Sequence, residues 1–376
     1  MLNRRTFTRA AAGAIALVGA PSLRAQGDRI LLAQSAPFTG PAAQLGIQFN
    51  LGAKLYFDQL NAQGGVHRRP IELVKLDDGY EPERCVENTR KLIGEDPLAL
   101  FGYIGTPTSV AALPLATAAK VPFFAPFTGA MALRQPFNRY AFHLRASYND
   151  ETALIVKQLT SLGLKKIAVF HQNDAYGKAG LDGVELALKA QDMKPVAQAT
   201  VERNSVVVAP AVKTLVAAQP DAIVQIGAYK ACAAFIRAAR AAGFGGTFFN
   251  VSFVGTQALA DELGKEASGV VVSQVMPSPY SAARPITREF LEAVKKGGGE
   301  YQANFSSMEG YLAAKVIAEA LRRGPAKTSR DGLIAGLESL PNESFGGFMV
   351  SFSPNDHVAS KFVELSMLTG DGRVRT

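Results

Sequence analysis

The stretch KKIAVFHQNDAYGKAG, residues 165–180, decides the fold. It opens on an apolar run, Lys166–Gln172, of the length expected for a strand that is buried on both faces. A polar loop with Asn173 and Asp174 follows, and helical spacing then covers Tyr176–Ala190. A strand that passes through a short polar loop into a helix is the repeating unit of a parallel α/β sheet.

The same alternation of strand and helix extends in both directions from this stretch. Before it, the pattern predicts strands at Arg29–Ser35, Ile71–Asp78, Ala99–Gly105, Val121–Pro126 and Tyr140–Arg145, and helices at Ala42–Asn61, Glu81–Gly94, Ser109–Ala119 and Glu151–Leu162. After it, the pattern predicts strands at Val196–Val201, Ala222–Gly227, Thr247–Phe253, Gly269–Met276, Gly347–Phe352 and Lys361–Thr369, and helices at Ala209–Ala218, Tyr229–Ala242, Ile286–Lys296, Met308–Arg323 and Asp331–Leu340. Such alternation predicts an α/β protein with right-handed crossovers in parallel sheets.

The two strand-helix series predict two doubly wound lobes that share one chain. Extended segments near 145–149, 276–280 and 351–355 are the expected crossings between them. We therefore expect residues 26–148 plus 277–351 to form the N-terminal lobe, and residues 149–276 plus 352–376 to form the C-terminal lobe.

The N-terminus has the pattern of an export signal. The pair Arg4-Arg5 precedes a short Ala- and Gly-rich apolar run, and we expect cleavage near Ala25, with residues 20–22 as the other small-residue site. The arginine pair favours the twin-arginine pathway, and an ordinary secretory signal is the alternative. We expect the protein in the periplasm.

Composition excludes several classes of function. The full chain has 40 basic and 32 acidic residues, a net charge of +8. Removal of residues 1–25, which hold four arginines and no acid, lowers the net charge to +4. A positive charge this small does not indicate nucleic-acid binding. No later apolar stretch is long enough to span a membrane, so a soluble mature chain is expected. Cys85 and Cys232 are expected to be free and buried, and the sequence shows no zinc spacing, nucleophile elbow or dinucleotide fingerprint. We expect no enzyme activity, metal or cofactor.

Three loops are the candidate binding elements. Ligands of open parallel sheets lie outside the carboxyl ends of the strands, beside helix N-termini. Gly105-Thr106 and Phe127-Thr128 end neighbouring predicted strands, and their hydroxyls and backbone N–H groups suit a carboxylate. In the other half, residues 173–177 place Tyr176 at the same kind of position.

The chain resembles the branched-chain amino acid binding proteins of ABC importers, the leucine/isoleucine/valine type of periplasmic receptor. The resemblance covers essentially the whole mature chain, and it is carried by SAPFTGPAAQLGIQF (35–49), residues 57–83, GYIGTPTS (102–109), KVPFFAPFTGA (120–130), YAFHLRASYNDE (140–151), residues 165–180, residues 220–243 and EGYLAAKVIAEAL (309–321). It implies a type I periplasmic binding protein fold with three crossings.

The resemblance also implies roles for individual residues. A hydroxyl that grips the ligand carboxylate matches Thr106, and a second falls at Gly129 or, one position earlier, at Thr128. An aromatic residue that stacks on the ligand matches Tyr176. Another family tyrosine falls at Ala228, with Tyr229 beside it as a substitute.

Departures from the family pattern bear on the ligand. Amino acid receptors hold the ammonium group with an acid where this chain has Ser252, followed by Phe253, so we expect that carboxylate to be missing. The family's disulfide in the first lobe matches Tyr80 and Gly105 and is therefore absent. Leu45 stands where the amino acid receptors carry an aromatic.

We expect a receptor for a small organic carboxylate without an α-amino group, with an aromatic acid as one option. Thr106 and Thr128 would hold the acid, and Tyr148, Tyr176 and Phe253 would cover an apolar body. The expected partners are this ligand and the ABC permease subunits of the inner membrane, with the protein itself a monomer. The alternatives are a periplasmic sensor of the same fold and a secreted enzyme on a flavodoxin-like fold.

Overall fold

The computed structural model describes residues 29–376, so the predicted signal peptide lies outside the described residues. Two sheets and the helices around them confirm the predicted α/β class with two parallel-sheet lobes. Three inner strands, Ile30–Ala36, Ile167–Gln172 and Ala222–Ile226, are mainly apolar runs with almost every side chain buried, as parallel sheets covered on both faces require.

The first lobe is built on a five-stranded, fully parallel sheet in the order β2-β1-β3-β4-β5. Its strands are β1 (Ile30–Ala36), β2 (Ile71–Asp77), β3 (Ala99–Phe101), β4 (Phe123–Phe124) and β5 (Ala141–Phe142). A two-stranded hairpin, β11 (Glu343–Phe345) and β12 (Phe348–Val350), lies outside both large sheets.

The second lobe has a seven-stranded sheet in the order β14-β13-β10-β9-β8-β6-β7. Its parallel strands are β6 (Ile167–Gln172), β7 (Ala197–Val201), β8 (Ala222–Ile226), β9 (Thr247–Asn250) and β10 (Val271–Gln274). Two antiparallel strands from the end of the chain, β13 (Glu364–Leu368) and β14 (Val374–Arg375), extend the edge beyond β10.

Helices cover the faces of both sheets. They are α1 (Ala43–Ala62), α2 (Pro82–Gly94), α3 (Thr106–Ala118), α4 (Tyr148–Ser161), α5 (Ala175–Lys189), α6 (Ala209–Ala217), α7 (Tyr229–Ala241), α8 (Thr256–Leu263), α9 (Pro285–Gly297), α10 (Phe305–Arg323) and α11 (Arg330–Glu338). Short 3-10 turns occur at Met131–Leu133, Ser252–Val254 and Gly264–Ala267.

The chain passes between the sheets three times, after β5, after β10 and after β12. The first and third passages lie side by side, because the His143 N–H donates to the carbonyl of His357 at 2.8 Å and the Ala359 N–H donates to the carbonyl of His143 at 2.8 Å. Paired crossings of this kind can act as a hinge. The predicted division between residues 148 and 149 falls in the first turn of α4, and the lobe boundaries themselves stay a prediction.

Several predicted bounds are wrong, and the errors have local causes. α3 begins at Thr106 rather than Ser109, because Pro107 fits the first turn of a helix and does not interrupt it. α4 begins at Tyr148, because Ser147 and Asp150 form a capping box that ends the extended segment. Helix α8 was not predicted at all, and it follows the left-handed Gly255 directly.

Helices α1 and α10 pack closely enough that two glycines are required between them. A Cβ atom at Gly52 would lie 1.9 Å from the carbonyl oxygen of Ser307, and one at Gly310 would lie 2.0 Å from the carbonyl oxygen of Phe49. Both carbonyl oxygens belong to the backbone, so neither can move away by a change of side-chain rotamer. The contact fixes α10, and with it Glu309, against the first lobe.

We expect Gly52→Ala to destabilise the protein by about 1–3 kcal/mol, because the helices must separate to admit the methyl group. Gly94→Ala is the matched control, since Gly94 is also helical and a Cβ there would meet nothing within 4 Å. That control lies at the end of α2 and should change the free energy of unfolding by less than about 1 kcal/mol, the propensity difference of a helix interior. Urea denaturation of both variants measures the difference, and equal effects would refute the close packing.

Within residues 29–376, none of the helices combines the length and apolar character needed to cross a bilayer. The same residues hold no group of three His, Cys, Asp or Glu side chains suited to a metal ion. Cys85 and Cys232 are both free and buried, as predicted.

Candidate functional site

The two threonine loops of the first lobe meet at the carboxyl ends of β3 and β4. The hydroxyl oxygens of Thr106 and Thr128 lie 2.6 Å apart, and both side chains are buried. Thr106 is the first residue of α3, so its hydroxyl stands beside the free N–H groups of that helix. Gly129 has no room for a side chain, because a Cβ there would lie 2.6 Å from the nitrogen of Tyr148. Thr128 is therefore the second hydroxyl that the structure brings to this point.

Aromatic rings from both lobes form a cluster beside the two threonine loops. Phe253 is central, with its ring centroid 4.5 Å from Tyr176 and 5.8 Å from both Phe127 and Tyr80. Tyr148 joins the cluster at 5.5 Å from Tyr176. The rings of the two lobes thus contact one another directly, in a closed arrangement.

Two predicted residues lie where the first turn of α1 faces the second lobe. Tyr229, the first residue of α7, accepts a hydrogen bond from the Gln44 N–H at 3.4 Å. Leu45 packs against Gly255, where a Cβ would lie 2.5 Å from Leu45 Cδ2. Both residues therefore form contacts between the lobes.

The tyrosine hydroxyls of the cluster carry unused hydrogen-bonding capacity. Neither the hydroxyl of Tyr148 nor that of Tyr176 makes a hydrogen bond of ordinary geometry within residues 29–376, although both are fully buried. Burial raises the pKa of Tyr148 to about 12 and that of Tyr176 well above its ordinary value, so both keep their protons. A buried hydroxyl without a partner costs free energy, which a polar ligand group placed there would recover.

A charged network that sequence analysis missed lies beside the rings. Arg145 makes a two-pronged ion pair with Glu309, at 2.8 and 2.6 Å, and neither side chain is more than 3% exposed. Burial opposes the charge of Arg145, but Glu309 outweighs it and raises the pKa of the guanidinium. The third nitrogen, Nη1, donates to Ser252 Oγ at 3.2 Å, and the guanidinium stacks 3.9 Å above the ring of Phe127.

The prediction that no carboxylate lies near Ser252 is wrong. Glu151 is fully buried there and accepts from the Ser252 N–H at 2.7 Å, the Ser252 hydroxyl at 3.0 Å and the Ser273 hydroxyl at 2.6 Å. Burial raises the pKa of Glu151. The acid comes from the first turn of α4, so the position after β9, where the resemblance implied it, did not reveal it. Asp150, by contrast, is occupied in the cap of α4.

Arg134 supports the Thr128 loop from behind. Its guanidinium donates to the carbonyls of Thr128 and Ala130 and to those of Arg145 and Ala146, at 2.9–3.3 Å. It forms no ion pair with any other described residue, and burial together with the charge of Arg145 lowers its pKa to about 10. The positive charge of Arg134 therefore lies directly beneath the loop that carries Thr128.

Polar contacts fasten the two lobes at the rim of this site. Arg203, after β7, donates to Glu81 at 2.9 Å and to Asp174 at 3.3 Å. Its neighbour Asn204 donates to the carbonyl of Gly79 at 3.0 Å and to Glu81 at 2.8 Å. The loop after β2 is thereby held against the second lobe.

All the predicted site residues lie in this region between the lobes: Leu45, Gly105, Thr106, Phe127, Thr128, Tyr148, Tyr176, Tyr229, Ser252 and Phe253. Four further residues, Tyr80, Arg134, Arg145 and Glu151, complete it. Sequence did hold a signal for Arg145, because this charge interrupts the apolar stretch AFHLRA, residues 141–146. A charge inside a predicted buried strand is expected to be paired.

Comparisons with known proteins agree with this architecture. A family model described as periplasmic binding protein matches residues 30–372. The Leu/Ile/Val-binding protein homolog 7 of Brucella suis biovar 1 (strain 1330) is 27% identical over 305 residues, which cover 76% of this chain and 75% of the relative.

Solved structures with the same fold are more similar in sequence. A possible leucine/isoleucine/valine-binding protein from Rhodopirellula baltica SH 1 is 34% identical, with a TM-score of 0.89 over 93% of this chain and 96% of that chain. A substrate-binding periplasmic protein from Ralstonia solanacearum is also 34% identical, with a TM-score of 0.87 over 92% of this chain and 99% of that one.

Proposed function

Because this chain belongs to the periplasmic binding protein family, we propose that it is the solute receptor of an ABC importer and binds a small organic carboxylate without an α-amino group. The family and the fold are those of binding proteins. The observation that carries the proposal is the meeting, between two lobes, of paired threonine hydroxyls with buried aromatic rings, among them Tyr176, whose hydroxyl has no partner within residues 29–376.

A carboxylate suits the threonine end of the site. Thr106 and Thr128 offer two hydroxyl donors, and the N-terminus of α3 adds backbone N–H groups and the positive end of the helix dipole. Arg134 contributes a positive charge behind Thr128 that no ion pair neutralises within the described chain. These groups favour an anion at this end.

The other end of the site disfavours an ammonium group. The resemblance implied an acid at position 252 to hold the ammonium group. Ser252 stands there instead, and it accepts a hydrogen bond from Nη1 of Arg145, the nitrogen that does not contact Glu309. Three of the roughly four lone-pair positions of Glu151 already accept hydrogen bonds. An ammonium would therefore meet a guanidinium N–H donor and a carboxylate that is mostly occupied.

A branched-chain amino acid is the second candidate. It is favoured by Glu151, which remains an acid within the site, and by the names of the relatives, which are Leu/Ile/Val-binding proteins. The two candidates differ by one chemical group, so matched ligands separate them.

The mechanism we propose is hinge closure. The lobes separate about the crossings that pair at His143 and Ala359, and a ligand held by both lobes shifts the equilibrium back to the closed form. The closed form, fastened at Arg203 and Glu81, would then dock on the permease subunits.

Isothermal titration of the purified mature protein tests the ligand class. The probes are 3-phenylpropanoate with L-phenylalanine and 4-methylpentanoate with L-leucine, since each pair differs only by the α-amino group. We expect the deaminated acid of at least one pair to bind ~10-fold or more tightly than its amino acid, because an unpaired buried charge costs upward of about 1–3 kcal/mol.

Phenylethylamine, which lacks the carboxylate, is the control and should not bind. Tighter binding of both amino acids would replace the first candidate by the second. Binding of none of the acids would refute the carboxylate proposal. Recovery of the bound acid unchanged, at one per chain, would separate a receptor from an enzyme.

A further inference from the structure

We infer that Tyr80 is a specificity-determining residue whose ring closes one side of the cleft and excludes acids with a bulky substituent next to the carboxylate. The inference rests on the proposed function, since it concerns which carboxylates the same site accepts. Tyr80 comes from the loop after β2, which none of the predicted binding loops includes.

The direction of the Tyr80 ring is fixed by its backbone. Tyr80 has a φ of 66°, in the left-handed region that a bulky residue rarely adopts. Asp78 holds it there by accepting from the Tyr80 N–H at 2.8 Å, and Asp78 is itself held by the Ser35 hydroxyl at 2.7 Å. Burial raises the pKa of Asp78 to about 6. A strained residue held by its surroundings is typical of functional positions.

The ring fills the space that Gly105 leaves open. A Cβ atom at Gly105 would lie 2.2 Å from Cε2 of Tyr80, so the ring can occupy this position only because residue 105 is a glycine. The ring centroid of Phe253 lies 5.8 Å from that of Tyr80, and the Tyr80 hydroxyl accepts from Gln172 Nε2 of the second lobe at 3.3 Å. Tyr80 is completely buried between the lobes.

This placement has a direct consequence for ligand shape. Gly105 precedes Thr106, so the ring of Tyr80 stands beside the groups that would hold the carboxylate. A substituent on the carbon next to that carboxylate, directed toward Gly105, must occupy the volume of the ring. Truncation to alanine would free a space about the size of a phenyl group.

Titration of the full mature protein with 3-phenylpropanoate and with both enantiomers of 2,3-diphenylpropanoate tests the inference. We expect the wild-type protein to bind the diphenyl acid much more weakly than 3-phenylpropanoate. Tyr80→Ala should bind an enantiomer of the diphenyl acid ~10- to 100-fold more tightly than the wild type does, as burial of one added ring allows. Tyr80→Phe keeps the ring and should exclude the diphenyl acid as the wild type does.

Retained binding of 3-phenylpropanoate shows that a variant is folded. If Tyr80→Ala does not fold, Tyr80→Leu serves in its place, because it removes the ring but keeps part of the apolar volume. The inference is overturned if the wild type binds both acids equally, or if a folded, ring-deleted variant still excludes the diphenyl acid. If the wild type binds neither 3-phenylpropanoate nor 4-methylpentanoate, the proposed function is refuted instead.

Discussion

Glu309→Gln is expected to lower the free energy of unfolding by about 3–5 kcal/mol, because it removes the carboxylate that pairs directly with the buried charge of Arg145. Arg145 is about 1% exposed and gives two of its nitrogens to Glu309. Ser252, its remaining neutral partner, cannot replace that carboxylate. Urea denaturation at neutral pH measures the loss.

Glu289→Gln is the control for this prediction. Glu289 also accepts hydrogen bonds, from Tyr311 and Lys315, but its side chain is 41% exposed. Its replacement should cost about 0–1 kcal/mol. If Glu309→Gln lowers the free energy of unfolding as little as Glu289→Gln does, water reaches Arg145 and the prediction is wrong.

A double replacement, Arg145→Met with Glu309→Leu, separates charge from shape. Removal of both charges should restore much of the stability that Glu309→Gln loses, since apolar pairs of similar volume replace buried ion pairs at little cost.

The second large effect concerns ligand affinity. Thr106→Val keeps the shape of the side chain and removes one hydroxyl donor to the proposed carboxylate. Hydrogen bonds to charged groups contribute about 1.5–3 kcal/mol, so the acid that binds best in the titrations should bind ~10- to 150-fold more weakly.

Thr160→Val is the matched control for the affinity measurement. The hydroxyl of Thr160 donates to the carbonyl of Val156 within α4, away from the threonine loops. Its removal should leave the dissociation constant unchanged within twofold. An unchanged affinity in Thr106→Val would show that the carboxylate binds elsewhere or that no carboxylate is bound.

The class of fold could be predicted from periodicity alone. The apolar run at residues 167–172 and the helical spacing after Asp174 give the strand, loop and helix where the structure has them. Bounds failed where a local group decides them, as with the cap of α4 by Ser147 and Asp150. Such caps depend on the conformation of two or three residues, which periodicity does not report.

The site could be predicted only in part, because its members come from two kinds of position. Thr106, Thr128 and Tyr176 follow strand ends, which sequence can locate. Glu151 and Arg145 reach the site from the first crossing, and Glu151 meets Ser252 across 101 positions of the chain. Contacts over such separations depend on how the lobes pack, and a single sequence does not record that packing.

The least predictable residues were those that stand at family positions but carry side chains other than the family's. The match of Tyr80 and Gly105 to a disulfide indicated only that a bond was absent. The structure shows that the ring of Tyr80 occupies the space beside Gly105. The ring therefore fills the space between the two positions at which the resemblance implied a disulfide.

A crystal structure of the mature protein with 3-phenylpropanoate is the most direct test of the central claim, that both lobes bind one ligand molecule between them. We expect the carboxylate within hydrogen-bond distance of the hydroxyls of Thr106 and Thr128, and the ring of the ligand against Tyr176 and Phe253. A ligand bound outside the cleft, or a complex in which the two threonine hydroxyls still bond only each other, would contradict it.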